Sequence, residues 1–493
     1  MKRGWSGAAW LAAILVLGLA LRLYHLRDPI LDHPGWRQGD QAAIARNFAQ
    51  LENNLFRPQV DYDGPPPNYI ELELQIVPFV AAQLDRAFGV HVVFGRLTVL
   101  AFGLGAIALV CFLGTELFGP LAGLLGAFLF AVAPGSVYYG RTFTPDMVML
   151  CFMVGTLLFW LRWQSRRAPA DFVLAVIFGM LAWLAKPPAL VALAPIVAIA
   201  STKRGARVFG DWSLYAFLVL TLAPLFAYLS YAHGIAEWRW ASGITVKHVL
   251  PALRHALSGP RAFAAALGGA LALLRMLADT ILGPALFGLA LVGAFWLPGG
   301  DIGRARAWML WSWLAALAAY AFVVVNVERV DYYLLPWLPI AALVAGGGLA
   351  SISERMRPVR LAPAQWAGVG GACFVIIYSN MLAIHPYYTW SRPVYAAATE
   401  LDRKLQSGAL IVMGHYDPSV LYLINRKGWE EDVALWNVHD MTSAIHKGAR
   451  YFVAVEVPRF KANRALYSFM QRYRRVPVAS GWEVYDTRHF APR

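Results

Sequence analysis

Cysteine and charge are both scarce in this sequence. The 493 residues include only three cysteines, and Asp, Glu, Lys and Arg together make up 15% of the chain. Cys111, Cys151 and Cys373 all lie in strongly apolar segments, so we expect packing roles and exclude a disulfide framework or a metal-ligand spacing. Soluble domains contain about 25% charged residues. The shortage of charge, with 59% hydrophobic residues, therefore indicates lipid-facing helices.

The sequence also lacks an internal repeat and a basic stripe with interleaved aromatic residues. The first absence disfavours a transporter built from two related halves. The second disfavours nucleic acid as a partner. The net charge of +14 is mostly topological, because much of it comes from Lys and Arg in the loops between apolar segments.

Apolar segments of the length that crosses a bilayer, about 20 residues, recur along the chain. Those predicted to span as single helices are 8–26, 97–117, 121–138, 146–163, 211–232, 279–298, 306–326, 332–350 and 364–384. Residues 171–201 are too long for one span and are interrupted by Lys186-Pro187-Pro188, which predicts two short helices and about 11 spans in all. Residues 72–84 and 262–274 are too short and are predicted to be interfacial helices.

The basic loops alternate along the chain, which predicts the sidedness of the protein. Lys and Arg cluster after every second span, at 162–167, 203–207, 304–306 and 355–360. Positive-inside bias places these clusters and the N-terminus in the cytoplasm. The first span is expected to remain as an anchor and not to be cleaved as a signal peptide. The long loops 27–96 and 233–278 then lie on the outer face.

Residues 387–493 are predicted to form a second domain after the membrane domain of residues 1–386. Short apolar runs at 410–413, 451–457 and 482–485 predict strands, and residues 418–425, 442–448 and 464–473 predict helices. Span parity places this domain on the outer face. The predicted fold class is an all-α polytopic membrane protein of about 11 transmembrane helices with a small C-terminal α/β extracytoplasmic domain.

Ionisable residues gather in the loops of the outer face. Residues 39–54 predict an amphipathic helix on the membrane surface, with Asp40 in its first turn and Arg37 just before it. Three further outer loops contribute charged or aromatic residues: Arg141 and Asp146; Lys186; and Glu328, Arg329, Tyr332 and Tyr333. Carboxylates beside Arg and Lys at one interface indicate recognition of an anionic group, such as a phosphate, next to a general base.

The order of these motifs resembles the GT-C glycosyltransferases, and within them the protein O-mannosyltransferases and the lipid A aminoarabinose transferases. The likeness rests on the first-loop Asp40, the Pro-Pro segment at 65–67 before an interfacial helix, Arg141-x4-Asp146, the Tyr-Tyr-Leu-Leu-Pro run that begins at Tyr332, and Asp417-Pro418 with the Asn-Arg-Lys-Gly-Trp run that ends at Trp429. It covers essentially the whole chain.

The resemblance implies a GT-C-like enzyme of the bacterial inner membrane. Such an enzyme moves a sugar from a polyprenyl-phosphate donor to a lipid, glycan or protein acceptor on the periplasmic face, with inversion in a single displacement. A lipid or glycan acceptor is favoured because the tail resembles bacterial members. The resemblance makes Asp40 the catalytic base and Asp146 a second catalytic carboxylate that orients the acceptor. The substrate-binding residues that it implies are Arg37, Arg141, Lys186, Glu328, Arg329, Tyr332 and Tyr333.

Two departures from the family pattern bear on this site. Asp40 is followed by Gln41 where many relatives carry Glu, so a two-carboxylate version of the site is not expected. Gly64 stands where relatives often have Lys, which removes one cation from donor-phosphate binding. No cofactor is firmly expected. Some relatives bind a divalent metal through a carboxylate and a loop histidine, for which Asp63 and His248 are the candidates here.

Simpler roles stay open for the same residues. Asp40 and Asp146 could be helix N-terminal caps, and Arg141 could extend to the membrane interface. Tyr332 and Tyr333 fit an interfacial aromatic belt as well as a site. At the level of function, the alternatives are a transporter or flippase of a lipid-linked or anionic substrate and a non-catalytic membrane scaffold.

Overall fold

The computed structural model describes residues 7–204, 208, 210–297, 304–355 and 363–491. The helices before residue 236 are α1 (Gly7–Arg22), α2 (Gly35–Gln50), α3 (Ile76–Phe88), α4 (Val92–Phe118), α5 (Pro120–Val132), α6 (Pro134–Tyr139), α7 (Asp146–Arg166), α8 (Pro169–Ala185), α9 (Leu193–Arg204) and α10 (Trp212–Ile235). Parts of the predicted basic clusters, at 205–207 and 356–360, lie outside the described residues.

The remaining helices lie after residue 239. They are α11 (Trp240–Ile244), α12 (Leu250–Ala256), α13 (Pro260–Met276), α14 (Gly283–Trp296), α15 (Arg304–Tyr320), α16 (Trp337–Arg355), α17 (Pro363–Ile384), α18 (Arg392–Lys404), α19 (Pro418–Ile424), α20 (Val438–His446), α21 (Val457–Ala462) and α22 (Arg464–Met470). The strands are β1 (Ile70–Glu71), β2 (Trp238–Arg239), β3 (Leu410–Gly414), β4 (Lys427–Glu430), β5 (Ala449–Ala454), β6 (Tyr473–Val476) and β7 (Glu483–Phe490).

Many of these helices are apolar enough for a membrane. Within the described residues, seven are also long enough to cross it: Val92–Phe118, Asp146–Arg166, Trp212–Ile235, Pro260–Ile281, Arg306–Val325, Trp337–Arg355 and Ala367–Tyr388. Shorter apolar helices occupy Gly7–Arg22, Pro120–Val132, Pro169–Ala185, Pro187–Ser201 and Gly283–Trp296. The protein is a multi-span membrane protein, but the predicted count of about 11 spans is not confirmed.

Helix breaks explain where the predicted spans differ from the structure. The segment 121–138 is interrupted at Ala133, which is extended because Pro134 follows it. The segment 171–201 divides at Lys186 as predicted, since α8 ends at Ala185 and a 3₁₀ turn begins at Pro187. A prediction from apolar composition alone treats the residues on both sides of such a break as one continuous span.

The prediction for residues 262–274 is wrong in its length. The helix there begins at Pro260 and continues past Arg275 through a π-helical turn, Leu277–Ile281, so it is long enough to span. A single Arg near the helix end does not stop it. The next helix starts at Gly283, whose φ of 75° ends the preceding turn in a conformation that glycine adopts readily.

Contacts divide the chain into two compact units. Unit 1 comprises the residues up to Leu26 together with Arg96–Tyr231 and Ala241–Pro386. Unit 2 comprises Arg27–Gly95, Ala232–Trp240 and Tyr387–Arg493. The first outer loop therefore lies in the same unit as the C-terminal segment.

Unit 2 contains a five-stranded sheet in the order β4-β3-β5-β7-β6. The strands β4, β3 and β5 are parallel, and β7 pairs antiparallel with β5 and β6. The predicted strands correspond to β3, β5 and β7, whereas β4 and β6 were not predicted. One face of the sheet is covered by α20, α21 and α22, which bury Phe452 and Phe460.

The other face of this sheet is covered in part by the first outer loop. Ile44 and Phe48 of α2, together with Val60 and Tyr62, share a buried core with Ile411 and Met413 of β3 and with Leu421 of α19. The short pair β1–β2 connects the first loop to the residues before Trp240 by parallel pairing. The apolar residues of α2 that predicted a membrane-surface helix thus pack in the core shared with the sheet.

Candidate active site

Asp40 is carried by α2, and its place in that helix corrects the prediction. The helix begins at Gly35, so Asp40 lies in the second turn and cannot be its N-terminal cap. All residues from Arg37 to Phe48 are buried, and the side chain of Asp40 is only 1% exposed. The sequence placed the start at Gly39 because apolar spacing begins only at Ala42. The interpretation of α2 as a surface amphipathic helix is wrong.

Arg37 lies one turn before Asp40 and connects it to the segment that precedes α3. Its guanidinium donates a short hydrogen bond to Glu73, and its Nη1 lies 3.8 Å from Asp40 Oδ2. Beside this group, Gln41 Nε2 donates to Gln75 Oε1 at 2.7 Å. The guanidinium is thus divided between two carboxylates and neutralises neither fully.

The electrostatic state of Asp40 follows from this partial compensation. Burial raises the pKa of Asp40 to about 7, against the lowering effect of Arg37, and Glu73 and Asp417 raise it further. The hydroxyl group of Tyr62 is a hydrogen-bonding neighbour that acts to lower this pKa. Neither carboxylate oxygen completes a hydrogen bond of normal geometry with a described residue. A carboxyl group that titrates near neutral pH is suited to accept a proton in a reaction.

Asp61 shows the opposite outcome in the same loop. Burial acts to raise the pKa of Asp61 as well, but Arg46 and Lys427 more than offset this and lower it. Lys427 Nζ lies 2.8 Å from Asp61 Oδ1, and Arg46 donates to Oδ2. Asp61 is therefore a carboxylate paired with two cations, whereas Asp40 has Arg37 at a longer distance and shares it with Glu73.

The structure adds residues that sequence reasoning missed, from both the first outer loop and the C-terminal segment. Glu430, the last residue of β4, is buried, and its pKa is raised well above 4.5 by burial and by the charges of Asp40, Asp417, Asp63 and Glu431. Tyr62 is also buried, and burial together with Asp40 and Glu430 raises its pKa. The available signal was indirect: the tail motif that contains Asp417 and Trp429.

Main-chain hydrogen bonds place the first loop against β4. Gly428 N donates to Asp61 O at 2.9 Å, and Gly64 N donates to Gly428 O at 2.7 Å. Because β4 is an edge strand, its free backbone groups are able to take such partners. We call Arg37, Asp40, Tyr62, Glu73, Asp417 and Glu430 the Asp40 cluster.

A second group of predicted site residues comes together in unit 1. Asp146 begins α7 after Pro145, and its Oδ1 accepts a hydrogen bond of 2.6 Å from Lys186 Nζ. Both side chains are at most 7% exposed. The ammonium group also faces the rings of Tyr332 and Tyr333, at 4.4 and 5.1 Å from their centroids.

The tyrosines of this group are held by Asp331. Its carboxylate accepts hydrogen bonds of 2.8 Å from Tyr139 Oη and from the backbone N–H of Tyr332. We call Tyr139, Asp146, Lys186, Asp331, Tyr332 and Tyr333 the Asp146 cluster. It places a buried ammonium group between a carboxylate and two aromatic faces. Such a cation is suited to bind an anion that displaces or shares its carboxylate partner.

The remaining predicted residues have other surroundings. Arg141 is fully buried, with its guanidinium carbon 4.9 Å from the centroid of the Tyr138 ring. Glu328 pairs with His248 at 2.6 Å and not with Arg329. Arg329 donates to Asn326 O at 3.1 Å, in its own loop. Glu328 and Arg329 thus make loop contacts, and neither belongs to the Asp146 cluster.

The comparisons with known proteins identify the architecture. A family model for dolichyl-phosphate-mannose-protein mannosyltransferases matches residues 76–231. The crystal structure of ArnT from Cupriavidus metallidurans in the apo state has a TM-score of 0.65, with 15% identity over 99% of both chains. The apo oligosaccharyltransferase of Archaeoglobus fulgidus has a TM-score of 0.62, with 13% identity over 96% of this chain and 73% of that one. The chain has the GT-C glycosyltransferase fold.

The resemblance predicted from the motif order is thereby confirmed. ArnT bound to undecaprenyl phosphate matches equally well, with a TM-score of 0.64 and 14% identity over 99% of this chain and 100% of that one. No curated protein sequence matches the chain. At such low identity the structural likeness establishes the GT-C fold but does not identify the sugar or the acceptor.

The two predicted metal ligands, Asp63 and His248, lie in different compact units of the chain. His248 is engaged with Glu328, and Asp63 belongs to the other compact unit. Burial and the charges of Glu431 and Glu237 raise the pKa of Asp63 to about 7. Among the described residues, no three His, Cys, Asp or Glu side chains are grouped to hold a metal ion. A crystal structure of the archaeal oligosaccharyltransferase is a complex with Zn and sulfate.

Proposed function

We propose that the chain is a membrane glycosyltransferase that moves a sugar from a polyprenyl-phosphate donor to a lipid or glycan acceptor on the periplasmic face of the bacterial inner membrane. The N-terminus is then cytoplasmic and the C-terminal segment periplasmic. The observation that carries the proposal is Asp40, a buried carboxyl with a pKa of about 7 in a GT-C fold. It is supported by relatives bound to undecaprenyl phosphate and to dolichol phosphate.

In the proposed reaction Asp40 is the general base. The acceptor hydroxyl oxygen attacks the anomeric carbon of the donor sugar, the bond from that carbon to the phosphate oxygen breaks, and the hydroxyl proton passes to Asp40. The bonding electrons leave with the polyprenyl phosphate. A single displacement of this kind inverts the anomeric centre, and a positioned base contributes about 10²–10⁴ in rate.

The phosphate gains negative charge as it leaves, so the proposal assigns it to buried cations. Lys186 is the first candidate because its partner Asp146 and the rings of Tyr332 and Tyr333 hold the ammonium group in place. Arg141 is the second, with its guanidinium buried against Tyr138. Preplaced donors of this kind are worth about 10²–10³ in rate each.

The lipid chain of the donor requires an apolar surface, which unit 1 provides. A cavity of about 510 Å³ lies among α13, α14, α15 and α16 and is lined by apolar residues such as Leu274, Phe287, Leu314 and Val344. Prenyl units are hydrocarbon and can pack against such a surface through van der Waals contacts. This cavity favours a polyprenyl carrier over a soluble nucleotide sugar.

The test follows release of free polyprenyl phosphate from a panel of polyprenyl-phosphate sugars, with purified protein and a membrane-lipid acceptor. We expect release from one donor, reduced at least about 100-fold in Asp40→Asn. Asp279→Asn is the matched control, since Asp279 is an exposed carboxylate on the π-helical turn after α13. Release that survives Asp40→Asn removes Asp40 as the base. Absence of release from every donor by folded protein favours the transporter alternative.

A further inference from the structure

Several buried oxygen atoms of unit 2 complete no hydrogen bond of normal geometry with a described residue, and six of these atoms belong to four neighbouring residues. The six are both carboxylate oxygens of Asp40, both of Glu430, Tyr62 Oη and Ser419 Oγ. The four residues are at most 6% exposed. Buried polar atoms normally have partners, so several unpartnered ones in one place indicate a ligand that supplies them. Tyr62 and Ser419 are hydroxyl groups, so this observation is independent of the acidic character of the cluster.

The backbone brings these four residues together. A Cβ atom on Gly39 would lie 2.4 Å from Ser419 N, which shows that α2 and the start of α19 touch immediately beside Asp40. The loop that carries Tyr62 is hydrogen-bonded to both the backbone N–H and the carbonyl group of Gly428. Glu430 follows Gly428 by two positions and therefore lies on the same face of β4. Asp417, which caps α19, completes the arrangement by accepting from Ser419 N at 2.9 Å.

Aromatic rings stand next to the same oxygen atoms. Trp36 precedes Arg37 on α2, and its ring centroid is 5.2 Å from that of Trp240 and 6.4 Å from that of Tyr416. Burial and the charges of Glu430, Glu431, Asp40 and Asp63 raise the pKa of Tyr416 to about 12, so this ring lies beside the carboxylates. Apolar ring faces together with a few convergent polar groups are typical of small-molecule sites.

The charge of this region limits what it can bind. Asp63, Asp417, Glu73 and Glu431 surround Asp40 and Glu430, and Arg37 is the cation that acts on Asp40. Burial and mutual repulsion raise the pKa of Glu430 well above 4.5 and that of Asp40 to about 7, so a further negative charge in this region is unfavourable. Hydroxyl groups can donate to the carboxylates and accept from the protonated acids. A ligand must therefore offer several hydroxyl donors and must not bring a negative charge of its own, which would be repelled. A phosphate or a uronic acid does not meet this requirement.

We propose that Asp40, Tyr62, Ser419 and Glu430 form the subsite for the sugar of the donor, which accepts neutral, hydroxyl-rich sugars and rejects acidic ones. Glu430, on the edge strand of the C-terminal sheet, is its specificity-determining residue. This inference rests on the proposed function, and it gives the C-terminal segment a direct part in choosing the substrate.

The experiment measures binding and transfer separately. Saturation-transfer NMR with the full-length protein in detergent compares a methyl hexopyranoside with the corresponding methyl hexuronoside, between pH 6 and pH 8. The variants are Glu430→Gln, which replaces the ionisable carboxyl group with a neutral amide of nearly the same shape, and Ser419→Ala. Glu456→Gln is the matched control, since Glu456 is a partly exposed carboxylate at the end of a neighbouring strand and pairs with His415. Release of polyprenyl phosphate is recorded for the same proteins with a neutral donor.

We expect the neutral glycoside to bind at least tenfold more tightly than the uronoside in wild type and in Glu456→Gln, with a ratio that grows as the pH rises. Glu430→Gln should reduce this ratio about tenfold, and Ser419→Ala should weaken binding of the neutral glycoside. Equal binding of the two glycosides, or an unchanged ratio in folded Glu430→Gln, overturns the subsite. Glycoside binding of the expected kind without release from any donor keeps the subsite and rejects the transferase.

Discussion

At the scale of single residues, the ionisation of Asp40 makes the reaction depend on pH. The base must be ionised to take a proton, and its pKa is about 7 in the folded protein. We expect the rate of polyprenyl phosphate release at limiting donor to rise about tenfold per pH unit below pH 7 and to level off above it. A rate profile from pH 5 to pH 9 measures this. A base with an ordinary aspartate pKa would give a flat profile over the same range.

The raised pKa of Asp40 also predicts how the stability of the folded protein depends on pH, and the sign follows from proton linkage. The pKa of Asp40 is raised from 3.8 to about 7 on folding, so the folded state binds more protons between these values. Its contribution is fully present below pH 3.8 and is lost as the pH rises through about 7, because ionisation in the folded state carries the cost of burial. We expect Asp40→Asn to raise the melting temperature relative to wild type at pH 8, and to do so much less at pH 5.

Asp61→Asn is the control for that experiment because its sign is opposite. The pKa of Asp61 is lowered by Arg46 and Lys427. Its contribution to stability is therefore present above pH 3.8 and is lost as the pH falls through its folded pKa. Asp61→Asn should lower the melting temperature at pH 8 by leaving two cations without their carboxylate. Thermal unfolding followed by tryptophan fluorescence measures both variants, and shifts of the same sign would contradict the electrostatic account.

At the scale of elements, the Asp146 cluster depends on two helix boundaries and a short turn. Asp146 starts α7, and Lys186 follows the last residue of α8 in an extended conformation. Lys186→Met leaves a buried carboxylate uncompensated, which typically costs about 3–5 kcal/mol. We expect the double variant Asp146→Asn with Lys186→Met to recover most of the lost thermal stability.

Measurements of activity distinguish a purely structural role of the Asp146–Lys186 pair from the proposed role of Lys186 in phosphate binding. If Lys186 binds the phosphate of the donor, the stable double variant should still release polyprenyl phosphate at least about 100-fold more slowly than wild type. The single variant Asp146→Asn, which keeps the ammonium group, should lose less. A double variant with wild-type release rates would show that the pair serves only folding.

The elements that sequence reasoning predicted well are those with local signals. Lys186-Pro187-Pro188 marks a helix break that the structure contains, and Pro145 precedes the start of α7. The association of Asp146, Lys186 and Tyr332 follows from such boundaries, because each lies next to a break on the predicted outer face. The prediction for residues 262–274 was too short because it counted only the continuous apolar run, whereas the helix begins at Pro260 and continues past Arg275 to Ile281.

Glu430 could not have been found in the same way. Its surroundings depend on backbone hydrogen bonds that Gly428 donates to Asp61 and accepts from Gly64, two residues more than 360 positions away along the chain. The strand β4 has only four residues and contains a glycine with a φ of 144°, so it carries no alternating apolar pattern. Distant backbone pairing of this kind leaves no periodicity in one sequence.

At the scale of the whole molecule, the division into units changes how the C-terminal segment is understood. The sequence suggested an appended domain, whereas the sheet shares one of its two cores with the first outer loop. Ile44, Phe48 and Ile70 of that loop cover the face that carries Ile411 and Val453. The opposite face packs against helices of the C-terminal segment itself, α20, α21 and α22. One sheet face therefore depends on a segment that precedes it by more than 300 residues.

This dependence predicts that residues 387–493 do not fold correctly alone. Without the first loop, an apolar sheet face, Asn425 and the edge strand β4 lose the partners that Phe48, Arg46 and Asp61 provide. Exposed apolar faces of this kind favour aggregation or loosely packed states. We expect the isolated segment to bind a hydrophobic dye and to unfold without a cooperative transition.

A fusion protein that restores the first-loop residues of the shared core tests this dependence. Residues 27–95 joined by a flexible linker to residues 387–493 contain nearly all of unit 2, and we expect this soluble fusion to unfold cooperatively and to bind little dye. The variant Phe48→Asp in the fusion should abolish that gain, since Phe48 is buried in the shared core. A cooperative transition in the isolated segment would instead show that the C-terminal sheet is an independent domain, and would weaken the argument that it helps to build the environment of Asp40.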